Sequence, residues 1–102
     1  SMLRSLEGIE ELAKLQLSIL QKCSAYVKPG GVLVYSSCTV SLAENERVIE
    51  AFLKQEGAFS LRGFEGIVPE RLRADAGRGM LTLLPNRDGT EGFFIAKLVR
   101  TE

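Results

Sequence analysis

From residue 5 to 27, SLEGIEELAKLQLSILQKCSAYV, apolar residues return with the period of an α-helix. One stripe is Leu6, Ile9, Ala13, Leu17 and Leu20, and a second is Leu12, Leu15, Ile19, Cys23 and Tyr26. Two stripes on one helix predict that it is covered on more than one side. KPGG ends it, because Pro29 cannot continue a helix and the glycines that follow permit a tight turn. The pattern then changes. GVLVYSS is a continuous apolar run rich in β-branched residues, which predicts a strand over 31–37 buried on both faces, as in parallel sheets, and wanting a neighbour on each edge.

Ser41 followed three residues later by Glu44 forms a capping box that starts a second helix. Val48, Ile49, Phe52 and Leu53 make its core face, and Gly57 fits a C-cap. FSLRG is a short extended piece, followed by a polar loop from about Gly66 to Gly79. MLTLLP and GFFIAKLV are two further strands joined by the turn-rich NRDGTE, close enough in sequence to pair antiparallel. The order helix, buried strand, helix, strand, strand makes an α/β arrangement, and a short one.

At 102 residues the chain is one domain or part of one, and 45% apolar with 25% charged residues is ordinary for a soluble globular protein. Thirteen basic residues balance thirteen acidic ones, so net charge gives no argument for nucleic acid or membrane. Locally, Arg71, Arg73, Arg78 and Arg87 gather with Glu70, Asp75 and Asp88, which suits either contact with a polyanion or a solvated loop. No apolar run reaches the roughly 18 residues of a membrane span, and no signal-peptide pattern opens the chain. Ser1-Met2 looks like a cloning scar before native sequence, which suggests an excised piece.

Two cysteines and no histidine narrow the chemistry. Neither a disulfide framework nor a zinc site can be built from so few ligands, which favours a reducing compartment and no metal. Cys38 lies where the strand stops and the second helix begins, the end of an α/β strand at which ligands and catalytic groups gather. The positive end of the helix there favours a thiolate. The alternative is a small residue filling the strand–helix corner. A phosphatase loop needs arginine where Glu44 stands, a cysteine protease needs histidine, and a redox pair needs a cysteine much nearer than Cys23. A nucleophile whose helpers come from elsewhere, or no nucleophile at all, remains. Cys23 continues the Leu12–Leu15–Ile19 stripe and reads as core.

LQLSILQKCSAYVKPGGVLVYSSCTVSLAENERVIEAFL resembles the Sun/nucleolar-protein (RsmB-like) family of RNA cytosine-5 methyltransferases. In that family a stretch like LVYSTCS, then ENE, a helix ending in FL, and DGFF with a strand close the catalytic domain. This chain has LVYSSCT, Glu44-Asn45-Glu46, Phe52-Leu53 and EGFFIAKL, so the likeness spans about residues 12 to 100. Ser37 stands where threonine is usual, Glu91 where aspartate is usual, and NRDGT lacks a frequent histidine. The resemblance implies that Cys38 is the nucleophile that adds to carbon 6 of a target cytosine in ribosomal or transfer RNA, with S-adenosylmethionine as the methyl donor. It also implies substrate contacts from Ser37, Thr39, Phe93 and Phe94, although strand core is the simpler reading of the two phenylalanines.

The glycine-rich cofactor loop, the acidic residue for the ribose and the Pro-Cys motif of the family all lie upstream of this stretch. The resemblance therefore implies an α/β chain, residues 1–102, that forms the C-terminal half of a Rossmann-like S-adenosylmethionine-dependent methyltransferase domain. It would hold a buried strand, its flanking helices and a terminal antiparallel strand pair, with no cofactor-binding residues of its own. Such a half, inactive alone, expects the missing N-terminal half and RNA as partners, and self-associates through the exposed strand edge and the surplus helix stripe when isolated. Its compartment is the cytoplasm for a bacterial protein and the nucleolus for a eukaryotic one. Two other functions fit the same residues: a non-catalytic RNA- or protein-binding module on a methyltransferase half-fold, and a different methyltransferase in which Cys38 only packs.

Overall fold

The computed structural model describes residues 6–38, 42–83 and 92–102. Helix α1 (Leu6–Ser24) leads through the Pro29-Gly30 turn into β1 (Val32–Cys38), and α2 (Leu42–Gln55) follows. Then come β2 (Phe59–Leu61), two 3-10 turns (Glu65–Ile67 and Glu70–Leu72), the one-turn α3 (Arg73–Ala76), β3 (Met80–Leu83) and β4 (Phe93–Arg100). The polar stretch expected as loop thus folds into short helical turns. Gly30 and Gly79 take positive φ, +84° and +91°, where the chain turns into β1 and into β3, a conformation that side chains disfavour. The capping pair expected at Ser41 and the NRDGTE turn lie outside the described residues.

β4 is the centre of the sheet. Along one edge it pairs antiparallel with all of β1, from Val32 opposite Val99 to Cys38 opposite Phe93. Along its other edge it pairs antiparallel with β2 and, further on, β3, as the two last strands were expected to do. β1 and β3 therefore run parallel to each other with β4 between them. The expectation of a parallel sheet around β1 is corrected: its strand neighbour among the described residues is antiparallel, and its other edge has no strand partner there.

One face of the sheet carries the core. Leu33 and Tyr35 of β1 sit beside Phe94, Ala96 and Leu98 of β4, the last three fully buried. Both helices lie on that face, α1 through Ala13, Leu17 and Leu20 and α2 through Val48, Ile49 and Phe52. Phe52 meets Phe59 edge-on with ring centres 5.3 Å apart. The Gln21 and Gln55 side chains join the ends of the two helices. Arg100 ties the end of β4 back to the α1–β1 turn, its Nη1 donating to the Val27 carbonyl at 2.5 Å and its backbone exchanging bonds with Gly30 and Gly31.

The opposite face is open in part. Leu81 and Val99 on it are buried, but Val32 and Val34 are 50% and 60% exposed. The continuous apolar run was read as a strand buried on both faces; the described residues bury one. The second stripe of α1 is likewise uncovered, with Leu15, Ile19 and Tyr26 exposed. Cys23 belongs to this stripe and is exposed too, so its reading as core is corrected. Ala13, Leu17 and Leu20 of the first stripe occupy the side of α1 that faces the core, and the described residues supply no layer for the second.

Candidate active site

Strand period and register decide what stands at the end of β1. Ser37 and Cys38 are the last two residues of the strand, opposite Phe94 and Phe93, the first two of β4. Four residues far apart in sequence thus meet at one end of the sheet, and α2 begins just beyond, at Leu42. Cys38 is at the carboxyl end of its strand, as the sequence led us to expect, where chemistry concentrates in α/β folds. Thr39 lies outside the described residues.

The pleat separates the four. Phe94 is fully buried on the core face, edge-on to the Tyr35 ring at 6.2 Å, so it has no free surface on which a base could stack. Its assignment to substrate contact is corrected: β4 alternates, and the even-numbered positions face the helices. Phe93 is 52% exposed on the other face, within reach of solvent and directly opposite Cys38 in register.

Ser37 also looks toward the core. Its Oγ donates a hydrogen bond to Oδ1 of Asn45 at 2.9 Å, so its hydroxyl is engaged within the fold. Asn45 stands in the first turns of α2 and is 4% exposed. It lies on the stripe of Val48, Ile49 and Phe52 (three, four and seven positions on), the helix face that packs on the sheet. A polar residue on a core stripe needs a buried partner, and that was the signal in the sequence.

Tyr35 is the second polar residue on this face of β1. Its phenol oxygen is buried with no hydrogen-bond partner among the described residues. Burial raises its pKa above the ordinary value, and the Ser37 hydroxyl, close by but outside bonding geometry, opposes the rise in part. The fold therefore keeps the phenol protonated where an unfolded chain starts to lose the proton, so stability is full below about pH 10 and declines as pH rises beyond it. Tyr35→Phe removes a polar group that makes no bond, and is expected to leave stability within about 0.5 kcal/mol or to raise it by up to about 1 kcal/mol. It should also flatten the alkaline decline. Urea unfolding at about pH 8 and again above about pH 10 checks both; a loss larger than about 1.5 kcal/mol at the lower pH would mean the hydroxyl is bonded.

A groove of about 320 Å³ runs along the outer edge of β1, lined by Ile19 and Cys23 of α1 and by Leu33 to Ser36. Of the arginine cluster, Arg71, Arg73 and Arg78 are exposed on the short turns before β3, Arg78 meeting Asp75 at 3.5 Å in an open ion pair of little energetic weight, and Arg87 lies outside the described residues. Among the described residues no group of three or more metal-ligating side chains occurs, and no helix is long and apolar enough to cross a membrane. The positive-φ glycines are at turns entering β1 and β3, not at a strand-to-helix turn of the kind that cradles a nucleotide. Neither of these two turns is such a cradle for S-adenosylmethionine.

A family model described as 16S rRNA methyltransferase RsmB/F matches residues 1–99. Among curated proteins, the probable ribosomal RNA small subunit methyltransferase B of Bacillus subtilis is 43% identical over 88 residues, 85% of this chain and 20% of that protein. Ribosomal RNA small subunit methyltransferase F of Aeromonas hydrophila is 41% identical over 95 residues, 92% of this chain and 20% of that protein. Among solved structures, a methyltransferase homolog protein from Pyrococcus horikoshii superposes with a TM-score of 0.74 at 31% identity, covering 95% of this chain and 33% of that one. NSun6 from the same organism, solved with SFG, gives a TM-score of 0.74 at 29% identity over 97% of this chain and 25% of its own. The chain spans about one fifth of the length of these curated relatives.

Proposed function

The chain belongs to the 16S rRNA methyltransferase RsmB/F family, and on that premise we propose that it is the nucleophile-bearing segment of an RNA cytosine-5 methyltransferase. The observation that carries this is the pairing of Cys38 with the half-exposed Phe93 at the carboxyl end of β1. A thiolate at Cys38 adds to carbon 6 of a cytosine turned out of its RNA stack, forming the S–C6 bond and moving the ring's double-bond electrons onto carbon 5. Carbon 5 then accepts an electrophilic methyl group. Loss of its proton to a base outside this chain restores the double bond and expels the thiolate. Phe93 offers a ring face to the base, and Thr39 follows the nucleophile directly as a further substrate contact. S-adenosylmethionine is the methyl donor, held by residues of the full-length protein beyond this chain, so the isolated chain is inactive. A reducing cytoplasm suits the free thiol.

The covalent bond itself is the test. RNA carrying 5-fluorocytosine at the target position cannot lose a proton from carbon 5, so the full-length protein, given S-adenosylmethionine, is expected to remain bonded to it through denaturing electrophoresis. Absence of that adduct, from a preparation that methylates ordinary RNA, would remove Cys38 from the role of nucleophile.

The open edge of β1 follows from the same reading. In the full-length protein it is the seam where the rest of the catalytic domain joins. In the isolated chain a second copy takes that place: seven strand residues without a charge, beside Ile19 and a 320 Å³ groove, present unpaired backbone to an identical edge. Sedimentation at high micromolar concentration should show a dimer, and Val34→Lys, which puts a charge on the edge, should shift it toward monomer. A monodisperse monomer of the unsubstituted chain would overturn the proposal.

A further inference from the structure

The hydrogen bond from Ser37 to Asn45 spans the corner that holds Cys38. Ser37 Oγ donates to Asn45 Oδ1 at 2.9 Å, and between the two residues run Cys38, the strand-to-helix connection at 39–41 and the first residues of α2. At its strand end the bond is anchored by the Ser37–Phe94 register pair, with Phe94 fully buried; at its helix end Asn45 is itself 4% exposed and flanked on its stripe by Val48 and Ile49, both buried. The clamp therefore fixes the end of β1 against the first turn of α2, with Ser37, the residue before Cys38, locked on the core face.

From this we infer that Asn45 is a positioning residue for Cys38, acting through Ser37, an inference that rests on the reading of Cys38 as nucleophile. Asn45 touches neither RNA nor methyl donor. It holds the segment from which the thiolate must reach carbon 6, and a reaction that needs its two atoms within bonding approach is sensitive to displacements of about 1 Å, which cost on the order of 100-fold in rate. Asn45 also gives Ser37 a reason to keep a hydroxyl: serine and threonine serve the clamp equally, alanine does not.

The experiment uses the full-length protein and target RNA, with single-turnover methylation and thermal unfolding followed in parallel. Ser37→Ala and Asn45→Ala are each expected to lower the methyl-transfer rate by about 10- to 100-fold with RNA affinity changed less than about threefold. Ser37→Thr should recover most of what Ser37→Ala loses. The double alanine variant should be no slower than the worse single one by more than about threefold, because one bond is broken in all three. Should Asn45→Ala fail to fold, the Ser37→Ala and Ser37→Thr pair carries the test alone. Normal rates in folded Ser37→Ala and Asn45→Ala protein, multiplying losses in the double variant, or no recovery with threonine would each overturn the inference. Cys38→Ala separates it from its premise: activity surviving that change defeats the nucleophile reading, whereas activity lost there but normal in both clamp variants defeats only the clamp.

Discussion

Cys38→Ala in the full-length protein is expected to lower methyl transfer by about 1,000-fold or more while leaving RNA affinity within about threefold. Covalent addition divides one difficult substitution into two accessible steps, and carbon 5 of an unactivated cytosine is a poor nucleophile toward a methyl group. A neighbouring hydroxyl is a far weaker nucleophile than a thiolate and cannot substitute. Ser37, the adjoining hydroxyl among the described residues, is moreover engaged with Asn45 on the core face. Cys23 is exposed on α1, on a stripe away from the strand end, so Cys23→Ser should leave the rate unchanged and serves as the control for thiol loss in general. The measurement is single-turnover transfer from labelled donor into target RNA, with both variants checked for folding. A Cys38→Ala protein that retains a tenth of the rate would be a methyltransferase in which this cysteine only packs.

Phe52→Ala is expected to cost about 3–5 kcal/mol of stability. Its side chain is fully buried between α2 and the sheet, and its ring meets Phe59 edge-on at 5.3 Å. Truncation removes the transfer free energy of the ring and leaves a cavity that Ile49 and Leu98, already fully buried, cannot move to fill. A domain of this size has only about 5–15 kcal/mol in total, so the variant loses a large share of its stability. Urea unfolding followed by circular dichroism measures it. A loss below about 1.5 kcal/mol would mean that the core beneath α2 is far more adaptable than its packing indicates.

Much of this architecture was legible in residue order alone. The helical period before Pro29, the β-branched run after Gly31 and the core stripe of Val48, Ile49 and Phe52 each describe a local conformation with one apolar face, and local conformation is what periodicity encodes. α1, β1, α2 and the β3–β4 pair accordingly appear where the pattern put them. Cys38 was also legible, because a cysteine at a strand-to-helix corner and the LVYSSCT stretch around it are both features of sequence.

What the period could not say is which apolar face would find a partner. Both stripes of α1 look alike in sequence, yet Leu17 and Leu20 face the core while Ile19 and Cys23 stay outside. Phe93 and Phe94 are adjacent and identical in type, but antiparallel register with β1 sends one into the core and leaves the other half exposed opposite Cys38. The bond between Ser37 and Asn45 exists only because α2 lies across the end of β1. Sequence by itself determined the elements and the place of Cys38 at the end of β1, since backbone propensity and side-chain chemistry act over a few neighbouring residues. The tertiary structure alone decided faces, register and clamp, since those depend on contacts between segments whose separation along the chain carries no periodic signal.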